Sequence, residues 1–261
     1  MPRFTFIRSD SAHTSPMKRH FLWSVVLMLH ALCGFAANTS DTHPKADVLD
    51  LVFSENGAVS DIAANGKLYT GTVKPSTYYN TALQRWTARF TGEDACFYRT
   101  DYTPHMEEVL QNSFSFELMY KTYDLAETAP LSSQQYGGVG IEHIGGKICF
   151  LAHIGGDYQT VSAGTPIEKG VFYHVIGTYD KEKGELRLYV NGKREQALSV
   201  SGSLKLPDAD TRWMGIGGDM NSHTGSTQYP LNGDIALARI YSEAITDEAA
   251  LSLYRELPDT Q

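Results

Sequence analysis

The sequence predicts an all-β protein in which two antiparallel sheets pack face to face, with one short helix at the C-terminal end. Short segments that alternate apolar and polar residues recur along the chain, and turns rich in Gly, Asn and Asp separate them at close spacing. A single segment has the helical spacing of apolar residues. These patterns are typical of a β-sandwich, and 261 residues are enough for one such domain to bury a core.

The N-terminal residues have the pattern of a secretory signal peptide. Basic residues at 18–19 precede a 12-residue apolar run at 21–32, and small residues follow at Gly34 and Ala36. The run is shorter than the roughly 20 residues that a membrane-spanning helix needs. The pattern therefore predicts export to the periplasm, the cell surface or the medium.

Within this region we expect translation to start at Met17, so that residues 1–36 are an upstream extension followed by the signal peptide. Cleavage after a small residue then gives a mature protein that begins near Ala37. A buried core helix is one alternative. A lipoprotein anchored at Cys33 is another, and the bulk of Leu32 disfavours it.

A polar, proline-containing stretch at 37–46 predicts a linker, and residues 47–261 are expected to form one domain. Its strands are predicted at 48–53, 89–90, 96–99, 114–121, 139–144, 147–153, 171–179, 185–190, 193–196, 212–216 and 234–241. Turns at Gly145-Gly146 and Asn191-Gly192 favour tight hairpins, because these residues tolerate positive φ. The one helix is predicted over 247–256, with Thr246 as its N-cap.

Net charge excludes one class of function. The formal charge is −8, and removal of residues 1–36, which carry a net charge of +3, leaves −11. A general nucleic-acid binder needs clustered Lys and Arg, so we expect no nucleic-acid partner. No second apolar run follows residue 32, so we expect no membrane span in the mature chain.

Several segments in the second half of the chain carry a family resemblance. They are FYHVIGTYD at 172–180, LRLYVNGK at 186–193, IGG at 216–218, LNGDI at 231–235, ARIY at 238–241 and AITDE at 244–248. In this order they resemble the laminin-G-like domains of the concanavalin A-like lectin and glucanase superfamily. The resemblance implies a jelly-roll arrangement of the two sheets. Members of the family are often fused to a catalytic domain, and here we expect any such domain to be a separate chain.

Motifs of catalysis are largely missing from the sequence. It has no G-x-S-x-G elbow and no H-E-x-x-H zinc helix. Related jelly-roll glycan hydrolases carry alternating acids on one strand, whereas Glu117 and Glu142 each stand alone in their strands. No catalytic residue is therefore predicted, and a glycan hydrolase or lyase with acids from different strands is the alternative.

The resemblance also implies a calcium ion at the rim of the sandwich, held by oxygen ligands. Asp61 matches one acid of that site, just after the first strand. The second position, three residues after the final-strand glycine, is Ala236, and Asp234 is displaced from it by two residues. We therefore expect neither calcium nor another cofactor to be bound.

Loop aromatics beside polar residues make the best candidate binding site. Aromatic rings cover the apolar faces of sugars, and neighbouring polar groups bind the hydroxyls. The candidate ligand-binding residues are Trp213, Asp219, Asn221, His223, Tyr136 and Tyr229. The alternative is that the tyrosines pack at the rim and that Trp213 belongs to the core.

Two cysteines, Cys96 and Cys149, remain in the mature chain. In an oxidising compartment they are a possible disulfide. Two separate buried thiols are the other interpretation.

The sequence thus predicts a secreted or periplasmic, non-catalytic carbohydrate-binding or adhesion module whose partner is a glycan or polysaccharide. A glycan-cleaving enzyme on the same scaffold and a protein-interaction domain are the two alternatives, because this scaffold hosts all three.

Overall fold

Two antiparallel sheets face each other across an apolar core in a computed structural model that describes residues 43–134, 136–221 and 226–258. The strands are β1 (Leu49–Phe53), β2 (Val59–Asp61), β3 (Leu68–Thr70), β4 (Ser76–Asn80), β5 (Arg85–Thr91), β6 (Tyr98–Asp101), β7 (Phe114–Thr122), β8 (Thr128–Ser133), β9 (Val139–Ile144), β10 (Lys147–Ile154), β11 (Asp157–Ser162), β12 (Tyr173–Asp180), β13 (Glu185–Val190), β14 (Lys193–Ser199), β15 (Trp213–Ile216), β16 (Asp219–Met220), β17 (Thr227–Gln228) and β18 (Asn232–Tyr241). The helices are α1 (Pro104–Leu110) and α2 (Asp247–Arg255). The predicted two-sheet antiparallel sandwich is confirmed.

The first sheet has nine strands, with β14-β13-β12-β7-β18-β1-β2 in order. Strand β18 also pairs with β5, and β5 pairs with β4. Residues 232–235 of β18 contact β5, whereas residues 239–240 contact β1. One edge of β18 is therefore shared by two strands that diverge from each other.

The second sheet has seven strands, in the order β11-β10-β9-β8-β15-β6-β3. Alternate residues of both sheets point inward, and their aromatic rings meet in the core. Phe116 of the first sheet lies 6.1 Å from Phe150 of the second, between ring centroids. Phe90 and Tyr98 meet in the same way at 5.9 Å. The remaining alternate residues of the seven-stranded sheet form its outer face.

A short hairpin of β16 and β17 folds back over that outer face. A Cβ atom on Gly215 of β15 would lie 2.2 Å from the carbonyl oxygen of Gly218, so only glycine allows this close approach. The hairpin contacts β8 and β15. It therefore brings Asp219, at its start, onto the sheet.

Two helices are present in the described residues, whereas the sequence predicted one. The predicted helix is confirmed as α2, and the Thr246 hydroxyl accepts a hydrogen bond from Ala249 N at 3.2 Å. The additional helix, α1, begins at Pro104 after the N-cap Thr103, whose hydroxyl accepts from Met106 N at 3.1 Å. Neither helix is long and apolar enough to cross a membrane, and the described residues contain no other candidate.

Strand β8 was not predicted because it contains Pro130, which lacks the N–H group of a ladder hydrogen bond. The register between β8 and β9 shifts between Thr128 and Leu131. Pro130 therefore lies at an irregularity of the ladder between β8 and β9, where the missing N–H group lowers the stability only slightly. The predicted hairpins β9–β10, β12–β13 and β13–β14 are confirmed, but they do not form one meander, because β9 and β10 belong to the seven-stranded sheet and β12, β13 and β14 to the nine-stranded one. Strand β11, between β10 and β12, was missed.

Cys96 and Cys149 are both buried and both free, so the possible disulfide is not formed. Cys96 belongs to the core between the sheets, whereas Cys149 pairs in register with Glu142 on the outer face. The Cys149 Sγ lies 3.2 Å from the Ser162 hydroxyl. Burial raises the pKa of the Cys149 thiol, which favours the neutral form.

Helix α2 packs over a buried charged cluster on the outer face of the nine-stranded sheet. The Glu117 carboxylate lies 2.7 Å from His174 Nε2, and it accepts a hydrogen bond from the Tyr241 hydroxyl. Arg239 Nη1 lies 3.5 Å from the same carboxylate, and the Tyr254 ring of α2 stacks on His174. Burial raises the pKa of Glu117, but these partners lower it below its ordinary value overall.

Candidate functional site

Buried carboxyl groups lie together on the outer face of the seven-stranded sheet. The Ser132 hydroxyl of β8 lies 3.3 Å from Glu142 Oε1 and 3.1 Å from Asp219 Oδ1, so one hydroxyl bridges both groups. Gln134 donates from its backbone N to Asp219 at 2.9 Å and from its side chain to Glu142. Glu142 is 7% exposed and Asp219 is 4% exposed. The two acids thus come from strands that are remote in sequence.

The environment of Glu142 changes its protonation. Burial, and then the charge of Asp219, raise the pKa of Glu142 to about 8, against hydrogen bonds from Ser132 and Gln134 that lower it. At neutral pH the Glu142 carboxyl group is therefore protonated, and it can donate a hydrogen bond. A neutral acid beside a second carboxyl group can serve binding or proton transfer.

A cavity of about 210 Å³ opens next to Glu142, and we call it the glutamate pocket. Its polar and aromatic lining consists of Glu127, Thr128, Gln134, Glu142, His143, Tyr158, Thr160 and Tyr229. Thr128 Oγ1 and both ring nitrogens of His143 are buried and have no hydrogen-bond partner among the described residues, and His143 is 0% exposed. Burial lowers the pKa of His143, which keeps its ring neutral. The pocket therefore contains hydrogen-bonding groups that no described residue pairs with.

Tyr158 and Tyr229 line the glutamate pocket, and Tyr136 lies on the adjoining β8–β9 loop. The Tyr158 hydroxyl donates to the carbonyl oxygens of Gln134 and Gly137, at 3.0 and 2.9 Å, which fixes its ring. Tyr229 and Tyr136 are 50% and 62% exposed, and both have left-handed backbones, with φ of 51° and 61°. This conformation is rare for a bulky residue and persists where the surrounding structure imposes it, often at ligand sites.

The structure brings together only part of the predicted site. Tyr229 lines the glutamate pocket, Tyr136 lies on the adjoining β8–β9 loop, and Asp219 contacts Ser132 next to Glu142. Asn221 N donates to Ser226 O at 2.7 Å within the hairpin. His223 lies outside the described residues.

Trp213 lies elsewhere on the same sheet. Its half-buried ring has the Arg99 guanidinium 4.8 Å from its centroid, and it is not among the residues that line the glutamate pocket. No sequence pattern pointed to Ser132, Gln134 and Glu142 as one site, because only the folded hairpin places Asp219 beside them.

A family of known sequences matches the segment that contains this site. A sequence-family model of the laminin G type, which describes the concanavalin A-like lectin/glucanase superfamily, matches residues 99–250, and this is more than half of the chain. The chain belongs to this superfamily. No curated protein matches the sequence of this superfamily member.

Solved structures confirm the jelly-roll fold of this superfamily member. It resembles the binding domain of Paraclostridial Mosquitocidal Protein 1 with a TM-score of 0.62 and 13% identity, over 80% of this chain and 52% of that one. For the receptor-binding domain of botulinum neurotoxin C/D mosaic serotype the TM-score is 0.61 and the identity 14%, over 80% of this chain and 51% of that one. For the botulinum neurotoxin serotype G binding domain the TM-score is 0.62 and the identity 12%, over 81% of this chain and 51% of that one. The chain thus spans about half the length of these structures, and the likeness concerns the fold.

The calcium site that the superfamily implies does not fit the residues present. Asp61 Oδ1 accepts backbone N–H groups of Asp50, Ala63 and Ala64, and Oδ2 accepts that of Gly66 at 3.0 Å. This carboxylate is 4% exposed, and its oxygens organise the turn after β2. Ala236 offers no side-chain oxygen.

We expect removal of divalent cations with a chelator to leave the melting temperature unchanged. A site that binds the folded state alone would add RT ln(1 + [L]/Kd), which is about 2.7 kcal/mol at a hundredfold excess over Kd. Thermal unfolding with EDTA and with added calcium measures this difference. A calcium-dependent rise of the melting temperature by several degrees would contradict the expectation.

Proposed function

We propose that this chain is a secreted or periplasmic carbohydrate-binding module and that the glutamate pocket with Tyr229 and Tyr136 is its ligand site. One observation carries the proposal: exposed tyrosine rings adjoin a cavity in which buried polar groups of Thr128 and His143 have no hydrogen-bond partner among the described residues. A sugar matches both features, because its apolar face covers an aromatic ring and its hydroxyls pair with polar groups.

Two further facts support a binding function at this place. The neutral Glu142 carboxyl offers a donor, and Gln134 offers an amide, so sugar hydroxyls meet both donors and acceptors there. The similar solved structures are described as binding or receptor-binding domains of toxins. Export is supported by the signal-peptide pattern before Ala37.

A glycan array with residues 37–261 identifies the ligand, and Tyr229→Ala then tests the site. We expect this variant to bind a neutral glycan at least tenfold more weakly, which corresponds to about 1.4 kcal/mol, since the ring loses its contact area. Leu251→Ala is the control, because Leu251 is an exposed apolar residue of α2 that lines neither this pocket nor the cavity lined by Tyr79 on the nine-stranded sheet. Isothermal titration of both variants gives the two affinities.

Three outcomes would count against the glutamate pocket as a glycan site. An empty array would favour a protein partner, and equal affinities of Tyr229→Ala and Leu251→Ala would place the ligand elsewhere. Loss of binding in Trp213→Ala at an unchanged melting temperature would move the site to Trp213, at the other end of the outer face.

Glycan cleavage is the second candidate function, and the Glu142–Asp219 pair favours it. Glycosidases use a protonated acid with a raised pKa and a second carboxylate on the other side of the bond. Release of reducing ends from a polysaccharide that binds the protein tests this function. Glu142→Gln should abolish turnover while it retains binding, and wild-type protein without turnover on any bound polysaccharide would exclude cleavage.

A further inference from the structure

A second cavity, of about 330 Å³, lies on the other sheet of the sandwich. It is found where β1 and β5 pair with different parts of the same edge of β18. The register of β18 shifts between Ile235 and Leu237, and Ala236 and Leu237 line the cavity. Its size falls in the range of small-ligand sites. We call it the arginine cleft, after Arg85 and Arg239, which also line it.

The two arginines of the cleft differ in their partners. Arg239 Nε donates to Asp50 Oδ1 at 3.0 Å, and its Nη1 lies 3.5 Å from Glu117. Arg85 forms no hydrogen bond or ion pair with the described residues, and its buried Nε has no acceptor. Burial and the adjacent charge of Arg239 lower the pKa of Arg85, which nevertheless stays charged at any physiological pH. Arg85 therefore offers a guanidinium group that no carboxylate of the described residues contacts.

Aromatic residues also line the arginine cleft. Tyr79 is 50% exposed, and its ring meets that of the half-buried Trp86 at 5.9 Å in an edge-to-face arrangement. Both residues line the cleft, together with the exposed Ile62. A guanidinium group recognises carboxylates by paired hydrogen bonds, and aromatic rings contact the faces of sugars.

We propose that the arginine cleft binds an acidic sugar residue, whose carboxylate pairs with Arg85 and whose ring contacts Tyr79. The ligand class rests on the proposed carbohydrate-binding function, but the site is separate from the glutamate pocket and lies on the other sheet. Asp50 faces the same cleft, and its charge is compensated by Arg239. A neutral sugar lacks the group that pairs with Arg85.

Oligogalacturonate and its methyl ester are the probes, since they share the sugar ring and differ in charge. Titration of wild-type protein should show binding of the acid that is at least tenfold tighter than binding of the ester. Arg85→Met should remove this preference, and Tyr79→Ala should weaken binding of the acid severalfold. Arg255→Met, at an exposed position of α2, removes the same charge and should bind as the wild type does.

The results separate this proposal from the function proposed for the glutamate pocket. Tyr229→Ala should bind oligogalacturonate as tightly as the wild type does, even where it has lost binding of a neutral glycan. Equal binding of acid and ester, or of wild type and Arg85→Met, would overturn the proposal, as would no binding of the acid at all. Competition by poly-glutamate as strong as that by oligogalacturonate would assign the cleft to acidic peptides. If Arg85→Met does not fold, Tyr79→Ala provides the decisive comparison, because its side chain is exposed.

Discussion

Glu117→Ala is expected to lower the free energy of unfolding by about 3–5 kcal/mol, because it leaves buried charged and polar partners unpaired. Glu117 and His174 are each 1% exposed, and the Tyr241 hydroxyl donates to the same carboxylate. Without that carboxylate, Asp50 is the one acidic partner left to Arg239 among the described residues. Urea-induced unfolding followed by circular dichroism measures the change.

Glu182→Ala is the control for this experiment, since Glu182 lies exposed in the turn between β12 and β13. Substitution there should change the free energy of unfolding by less than about 0.5 kcal/mol. Similar stability losses in the two variants would show that the buried cluster does not stabilise the fold.

Glu142 should make the stability of the protein depend on pH in an unusual direction for a carboxylic acid. Its pKa is about 8 in the folded protein, against an ordinary value of 4.5. Between these two values the folded protein holds a proton that the unfolded chain has lost, so stability falls as the pH rises through this window. Each unit by which the two pKa values differ corresponds to about 1.4 kcal/mol.

Glu142→Gln removes this titration and is expected to flatten the pH dependence between pH 5 and pH 8.5. Denaturant unfolding of both proteins across this range measures the effect. Glu182→Gln is a suitable control, because Glu182 is exposed and lies outside the pocket. Parallel curves for wild type and Glu142→Gln would mean that the Glu142 carboxyl group is ionised in the folded protein at neutral pH.

Local patterns predicted the parts of the fold that depend on neighbours in sequence. The hairpins within β9–β10 and within β12–β14 follow from alternation and from turns such as Asn191-Gly192, which needs only local backbone geometry. Helix α1 was missed because it has seven residues, too few for a periodic pattern, although Thr103 and Pro104 are good start signals.

The candidate site could not be predicted in the same way. Asp219 and Ser132 are 87 residues apart, and their contact depends on a hairpin that folds back over the sheet. Asp219 was predicted as a ligand-binding residue beside Trp213, and the structure places it against Ser132 next to Glu142. Glu142 looked isolated because its partner comes from another strand. Tyr229 was predicted as an exposed aromatic residue, and the loop between β17 and β18 places it at the glutamate pocket.

The position of β18 determines when the nine-stranded sheet can be completed during folding. This strand begins at Asn232, and it hydrogen-bonds to β7 on one side and to β1 and β5 on the other. Arg239 of β18 pairs with Asp50 of β1 across 189 residues, and contacts over such separations slow folding. Until the last strand has been synthesised, β7 and β1 each keep an open edge that can pair with other chains. The interval before β18 leaves the ribosome is therefore the period in which this protein is most exposed to aggregation.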